Sequence, residues 1–342
     1  MTFSVAVAGC TGYAGGEILR LLLGHPEVTI GALTAGGSAG TKLSAHHPQL
    51  ASLSDRTVQE TTVETLSGHD IVFLALPHGT SAPIAEKLPA DVMILDCGAD
   101  FRLRDEAEWK HYYGTEYAGF WPYGLPELPG QRAIIASASR IAVPGCYPTN
   151  ATLSLLPAMH AGLISGSDVT VAAASGTSGA GKSLKPNLLG AELFGSMSAY
   201  AVGGGHRHIP EVLQNLRLLG ANDPTVSFTP MLAPMSRGIL AVCTAPIDAE
   251  AAAQLETVYR DTYANEPFVR VLPPGEWPMT KSVLASNAFQ VQVAFDERAG
   301  RMVTVGVLDN LTKGTAGAAI QCMNLALGLD ETTGLTTIGV AP

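Results

Sequence analysis

Long apolar runs are missing from this chain. Asp, Gly, Pro or His breaks each one well short of a membrane span. Charge is scarce, at 15% of residues, while 46% are hydrophobic, so disorder is excluded and a sizeable core is expected. Cations are scarcer still. Lys and Arg number 20 against 30 Asp and Glu, and a net charge of -10 argues against nucleic acid as a partner. A few local cations can still serve an anionic substrate. Five cysteines, at 10, 97, 146, 243 and 322, are odd in number and lack metal-type spacing. That usage fits free thiols in a reducing cytosol, four of them small core fillers. The first residues, Met-Thr-Phe-Ser, lead straight into a strand without the features of a signal peptide, so a cytoplasmic protein is expected. No repeat is present, and 342 residues exceed what one core usually organises, which predicts two domains.

The first 150 residues or so alternate short apolar runs with helical segments. Phe3 to Ala8, Val28 to Leu33, Ile71 to Leu76 and Val92 to Leu95 read as strands buried on both faces. Ala133 to Ala136 and Ile141 to Val143 read as the last short strands of this half. The pattern predicts a doubly wound parallel sheet, an α/β domain of Rossmann type. After Pro144 the character changes. Val169 to Ala174, Ser227 to Leu232, Gly238 to Ala245, Val269 to Leu272, Phe289 to Phe295 and Met302 to Leu308 are strand candidates, several without a helix between them. An α+β domain with a mixed or antiparallel sheet is expected, followed by one long helix over Thr312 to Leu327.

Gly9-Cys10-Thr11-Gly12-Tyr13-Ala14-Gly15 lies between the first strand and a helix, where backbone N–H groups can hold a pyrophosphate. The spacing is GxxGxxG, and a glycine loop alone is also an ordinary βα turn. The second strand should end in an acidic residue if NAD were bound through its ribose. No carboxylate occurs between Leu33 and Leu43, and Thr34, Ser38 and Lys42 can donate to a 2′-phosphate. NADP is therefore the expected cofactor.

Gly176-Thr177-Ser178-Gly179-Ala180-Gly181-Lys182-Ser183 matches GxxxxGK[ST] in full. A P-loop nucleotide hydrolase is the competing reading. Against it, the strand ending in Asp96 precedes the loop, Pro186 interrupts the helix that should follow, and the parallel half of the chain lies elsewhere. The preferred reading is an anion-binding nest with Lys182 as its charge.

Gly145-Cys146-Tyr147-Pro148 places a thiol at a strand end, just ahead of a helix that reads from Ala151 to Leu156. Dipole and amides there stabilise a thiolate and can hold an oxyanion. A buried structural cysteine is the commoner fate of a lone Cys. Flanking glycine and prolines favour the functional one. His206-Arg207-His208-Ile209-Pro210-Glu211 follows three glycines and is the densest cluster of titratable groups. In an extended segment His206 and His208 face one way, and Pro210 favours that geometry at Ile209. A nucleophilic Cys needs an acid or base nearby. The two His lack an obvious third metal ligand, so no metal is expected.

These blocks, with Leu76-Pro77-His78-Gly79, Asp96 to Arg102, Tyr123 to Leu128 and Asp309-Asn310-Leu311, resemble the N-acetyl-gamma-glutamyl-phosphate reductases of arginine biosynthesis. That family is related to aspartate-semialdehyde dehydrogenase. The resemblance runs nearly end to end. It implies an NADP-binding Rossmann domain over residues 1–147 and 312–342, and a catalytic and oligomerisation domain over 148–311. A homo-oligomer, dimer or tetramer, is implied too. The family's active-site cysteine falls on Cys146, with His206 and His208 as acid–base candidates. Cofactor contacts are implied at Gly9, Thr11, Gly12, Tyr13, Ala14, Gly15, Pro77, Ser178, Gly179 and Asn310, beside Thr34 and Ser38. Substrate contacts are implied at Arg102, Arg207 and Glu211, beside Lys182. The chain departs from the family at Cys97 and Gly98, where Ser is usual. It departs again at Lys182, where Arg is common, and in the second-strand loop, which lacks a frequent Arg. The expected reaction is NADPH-dependent reduction of an acyl phosphate to a semialdehyde through a Cys146 thioester. An aspartyl-phosphate enzyme and a non-catalytic NADP sensor are the alternatives.

Overall fold

Val5 and Val7 point to one side of the first strand and Ala6 and Ala8 to the other, and both sides are buried. That strand is the centre of a six-stranded sheet in the computed structural model, which describes residues 2–341. β1 (Phe3–Ala8), β2 (Val28–Ala35), β3 (Gln59–Glu60), β4 (Ile71–Leu74), β5 (Met93–Asp96) and β6 (Arg140–Ala142) run parallel in the order β3-β2-β1-β4-β5-β6. This is the doubly wound order, whose direction reverses between β1 and β4. On one face Val5, Val7 and Phe73 pack with Ile18 and Leu22 of α1 (Tyr13–Leu22) and with Ile320 and Met323 of the C-terminal helix Gly317–Ala326. On the other, Ala6, Val72 and Ile94 pack with Leu66 and Leu88. Each such aliphatic side chain contributes about 1.5–3 kcal/mol of burial.

The chain up to Pro126, Gly130–Pro144 and Thr315–Leu335 make this unit, and Glu127–Pro129, Gly145–Gly314 and the chain from Thr336 on make a second. The segment after Leu335, grouped by sequence with the Rossmann half, bonds instead to the second unit: Asn287 N–H donates to Thr336 and Val340 N–H to Leu284. The second unit carries a seven-stranded mixed sheet. β7 (Val169–Ser175), β8 (Ser198–Ala199), β9 (Val226–Leu232), β10 (Ile239–Pro246), β11 (Val269–Val271), β12 (Phe289–Asp296) and β13 (Arg301–Leu308) lie in the order β11-β12-β13-β10-β7-β9-β8. β7 with β9 and β11 with β12 are parallel, the rest antiparallel. The strict alternation of buried and half-buried residues along β7 and β10 shows one face against the core.

Three sequence expectations give way here. Residues 133–136 belong to a helix, Gln131–Ala136, not a strand. Gln131 and Ile135, four apart, form its buried face while Ile134 is exposed. A short apolar run does not reveal its period. The helix expected from Thr312 begins with a π turn, Thr312–Ala316, before the α-helix Gly317–Ala326. The helix expected at Ala151 begins at Cys146 and runs to His160.

That helix, Cys146–His160, is buried from Tyr147 to Met159 and contains Pro157. Proline lacks the N–H that would bond the carbonyl four residues back. The carbonyl concerned, Leu153 O, accepts instead from the Tyr263 hydroxyl at 2.5 Å, and Ser154 O accepts from Tyr259 at 2.6 Å. The helix therefore keeps its buried polar groups satisfied through a position that would otherwise break it.

Candidate active site

In the first unit, the glycine loop follows β1 at the point where strand order reverses. Gly9 has φ +79°, and a Cβ there would overlap the Ala75 carbonyl oxygen. A Cβ at Gly15 would overlap Gly9 O, because α1 starts hard against the strand. Gly12, the N-cap of α1, is different: a Cβ there meets only Gly9 O, at 3.4 Å. Room is thus left in front of the first-turn amides of Tyr13, Ala14 and Gly15, with no acidic side chain in that turn. N–H groups at a helix start lack intrahelical partners, so this cradle fits a pyrophosphate. Pro77 lies in the loop after β4, on the other side of the reversal.

Thr34 does not sit as a surface donor. It is fully buried, its carbonyl accepts from Gly9 N–H at 2.8 Å and Cys10 N–H at 3.0 Å, and its hydroxyl accepts from Thr61. It braces the glycine loop from behind. Ser38 is half-buried beyond the strand end, and its carbonyl accepts from Thr41. Lys42 donates to Asp55 O at 2.6 Å.

The P-loop look-alike is not one. After β7 the chain makes a 3-10 turn, Thr177–Ala180, and no α-helix follows it until Gly190. Its amides are already engaged: Gly176 N–H bonds Gly238 O, Thr177 N–H bonds Met235 O, and Ser178 N–H bonds Ser236 O. A phosphate nest needs those donors turned outward. Nearer Lys182, Gly179 N–H bonds Gly176 O and Gly181 N–H bonds Ser178 O, so these amides too are turned into the loop. Lys182 itself is exposed and is absent from the residues lining the cavity described next. Asn310 joins this turn to the strand end after β13, donating to Ser178 Oγ at 3.0 Å and accepting from Gly238 N–H at 2.8 Å.

A cavity of about 360 Å³ in the second unit is lined by Cys146, Tyr147, Gly179, Lys185, Tyr200, His206, Arg207 and His208, among others. No Asp or Glu lines it, so its local field is cationic in a chain of net charge -10. Cys146 is the first residue of its helix, with Gly145 as an extended N-cap. Helix dipole and first-turn amides favour its thiolate. The histidines are not in an extended segment. Residues 206–208 form a turn into the helix Ile209–Leu218, and Pro210 sits in the first turn of that helix, where a missing N–H costs nothing. The turn still brings the two rings together, with centroids 4.8 Å apart. His206 Nδ1 accepts from His208 N–H at 3.1 Å, which puts the ring proton of neutral His206 on Nε2. Burial, helped by the Arg207 guanidinium, lowers the His206 pKa to about 4. Tyr147 packs edge-on against both histidines, and its hydroxyl lies 3.0 Å from that of Tyr200. Burial raises Tyr147 well above its usual range and Tyr200 to about 12, so both stay neutral phenols.

Glu211 does not point at an open subsite. It is buried, and its Oε1 accepts from Gly145 N–H at 2.7 Å, tying the helix after the histidines to the N-cap of the cysteine helix. Arg102, in the first unit, is also buried and holds Val143 O at 2.7 Å and Cys97 O at 3.0 Å. Both act on backbone. Lys185, Tyr147 and Tyr200 were missed by sequence reasoning. A lysine two residues past a strong motif gave no signal of its own. Of the other cysteines, Cys10, Cys243 and Cys322 are fully buried, and burial raises Cys10 and Cys243 to about 12. Burial also raises Cys97 far above the usual thiol range. Among the described residues no group of three His, Cys, Asp or Glu side chains is placed to hold a metal ion.

The family model for the semialdehyde dehydrogenase NAD binding domain matches residues 4–136, and that for the semialdehyde dehydrogenase dimerisation domain matches 146–310. Solved aspartate semialdehyde dehydrogenases share the fold. One from Vibrio cholerae has a TM-score of 0.69 at 19% identity, covering 96% of this chain and 99% of that one. One from Candida albicans, solved with NADP, has a TM-score of 0.64 at 17% identity, covering 95% and 98%. Fold and matched domains thus define an oxidoreductase of the semialdehyde dehydrogenase class, with a nicotinamide-binding domain. Proteins of Saccharopolyspora erythraea and Streptomyces coelicolor, each named N-acetyl-gamma-glutamyl-phosphate reductase, are 60% identical over 343 residues, covering 100% of this chain and of each relative. The chain belongs to the N-acetyl-gamma-glutamyl-phosphate reductase family. No helix among the described residues is long and apolar enough to cross a membrane.

Proposed function

We propose that this protein reduces N-acetyl-L-glutamyl 5-phosphate to N-acetyl-L-glutamate 5-semialdehyde and phosphate, through a thioester on Cys146. The observation that carries the reading is a thiol at a helix start in a cationic cavity beside two histidines. The names of its close relatives support the substrate.

The Cys146 thiolate attacks the γ-acyl carbon and expels phosphate. Lys185 and Arg207 supply the charge that draws an anionic substrate into the cavity. The Cys146 helix start faces the developing oxyanion with its first-turn amides. His206, neutral and carrying its proton on Nε2, donates a hydrogen bond to that oxygen. The departing phosphate requires a proton, and His206 and His208 are the groups poised to relay it. A reduced nicotinamide, when bound, would supply the hydride to the thioester carbon, and Cys146 leaves as thiolate as the C–S bond breaks and the aldehyde forms. Gly9, Gly12 and the amides of Tyr13, Ala14 and Gly15 would hold its pyrophosphate. An aspartyl phosphate would bring a free ammonium, and the cavity offers no carboxylate to it.

We assign NADP as the cofactor, because no carboxylate occurs from Leu33 to Leu43 and Ser38 lies beyond the strand end. Residues up to 126, 130–144 and 315–335 form the cofactor part in this reading, and 127–129 and 145–314 the catalytic and oligomerising part. A homo-oligomer is supported by the dimerisation-domain match. It is supported also by Leu184 and Phe194, 97% and 83% exposed on the second unit, since apolar side chains so bare favour burial against another copy.

The test is oxidation of N-acetylglutamate semialdehyde by NADP or NAD, with phosphate or arsenate, followed by cofactor absorbance. Turnover that prefers NADP and needs the anion is expected. Equal specificity constants for NAD would sink the cofactor assignment, and preference for aspartate semialdehyde the substrate.

A further inference from the structure

We propose that the buried ion pair between Lys313 and Glu127 is a positioning device for the Cys146 nucleophile. Lys313 Nζ lies 2.6 Å from Glu127 Oε1, and both side chains are 0% exposed. The ammonium also faces the Phe268 ring at 5.5 Å. Taking two charges out of water is expensive, and an apolar pair of like volume serves stability as well or better. Stability alone therefore gives no reason for the pair.

Its place in the chain does. Lys313 lies in the π turn Thr312–Ala316, and such turns interrupt helices mostly where backbone must be aimed. The next residue is Gly314, where a Cβ would stand 2.7 Å from Cys146 Cβ and 3.2 Å from its Cα. The nucleophile thus rests on bare backbone of this turn. The turn is held at its start by Asp309, which accepts from Leu311 N–H, Thr312 N–H and Ala285 N–H and pairs with Arg237 at 2.9 Å. Gly314 N–H closes back on Asp309 O at 2.9 Å. Beyond Thr312, the Lys313 side chain is the anchor that pins the turn to the core of the unit. Glu127 and Phe268 fix where that anchor ends, and through it where Gly314 stops against Cys146.

The inference rests on Cys146 as nucleophile. Wild-type turnover in Cys146→Ser would remove that reading. The pair is tested separately, by the rate and pH profile of Cys146 alkylation with iodoacetamide alongside kcat and KM. The full-length variant Lys313→Met with Glu127→Leu is expected to fold and to bind NADP as wild type does. Its kcat should fall about 100-fold, the loss typical of an ångström-scale misplacement. KM should change far less, and alkylation should be altered in rate or pH midpoint. Gly314→Ala should reproduce both effects with the ion pair intact. Wild-type kcat and alkylation in the folded double variant overturn the proposal. If that variant does not fold, Gly314→Ala decides, and wild-type behaviour there overturns it equally.

Discussion

Glu211 separates two ideas of how the site is built, and replacing it gives opposite readouts under each. Sequence resemblance makes it a substrate contact, so its loss should raise KM. The structure makes it a clamp on the N-cap of the cysteine helix, 1% exposed, with Gly145 N–H on its carboxylate at 2.7 Å. Glu211→Ala would leave that buried N–H without its acceptor, at a cost of about 1–3 kcal/mol. The carboxylate also complements the positive end of the helix dipole, worth up to ~2 kcal/mol in a partly buried setting. A loss of about 2–4 kcal/mol follows, and for a unit of this size Tm should drop by roughly 4–16 °C. Glu211→Gln retains a carbonyl oxygen for the N–H and should recover most of the stability. Because Gly145 precedes Cys146, the alanine variant should also lose kcat, while KM for the acyl phosphate changes little. Thermal unfolding followed by circular dichroism, with initial-rate kinetics on the same preparations, measures both. Unchanged Tm with a raised KM in Glu211→Ala would refute the clamp and restore the substrate contact.

Cys146→Ser should abolish turnover with NADP binding intact, and retention of rate, measured beside cofactor titration, would end the covalent mechanism. Lys185→Ala should raise KM for the acyl phosphate, with a fall in kcat/KM of about ten- to a hundredfold for a lost charge-assisted contact of ~1.5–3 kcal/mol. Lys182→Ala should do less, because Lys182 lies outside the cavity lining, and the reverse ranking in steady-state kinetics would return the anion to the 176–183 loop. His206 titrates near 4 when folded and near 6.5 when unfolded. The unfolded chain therefore binds more protons between those values, and the stability contributed above pH 6.5 is lost as pH falls through 4. Urea midpoints should show about 2–3 kcal/mol more acid destabilisation across that window in wild type than in His206→Gln. Parallel pH curves for the two proteins would contradict the low value.

Legibility followed length and chemistry. The runs Val5 to Ala8, Ile71 to Leu74 and Met302 to Leu308 are apolar enough, and bounded clearly enough, to be strands in any reading. The change from alternating helices to successive strands at Pro144 separated the two sheet types. The segment Ala-Ile-Ile-Ala at 133–136 is too short to show a period, and the packing of Gln131 and Ile135 decided for helix. Nothing local announces the π turn at Thr312. The turn carries Lys313, whose partner Glu127 lies 186 residues away in the chain.

The site divides the same way. Gly9, Gly12 and Gly15 were readable because a residue without a Cβ answers a backbone need that its own position states. Cys146 was readable because glycine and proline around it fix a strand-to-helix junction. Thr34 and Lys182 were assigned by side-chain type, which gives only what a group can do, and Arg102 and Glu211 by family resemblance, which does not say what else a side chain touches. The Thr34 hydroxyl was claimed by Thr61 and the Glu211 carboxylate by Gly145 N–H, each from another segment. Arg102 was claimed by Val143 and Cys97. A polar side chain in the interior goes first to whichever buried donor or acceptor would otherwise lack a partner, since that omission costs more than most ligand contacts return. Motif residues that are polar and buried are therefore better read as holders of the site than as its contacts. In the proposed reading the exposed cations lining the cavity, Lys185 and Arg207, are the ones that meet the substrate.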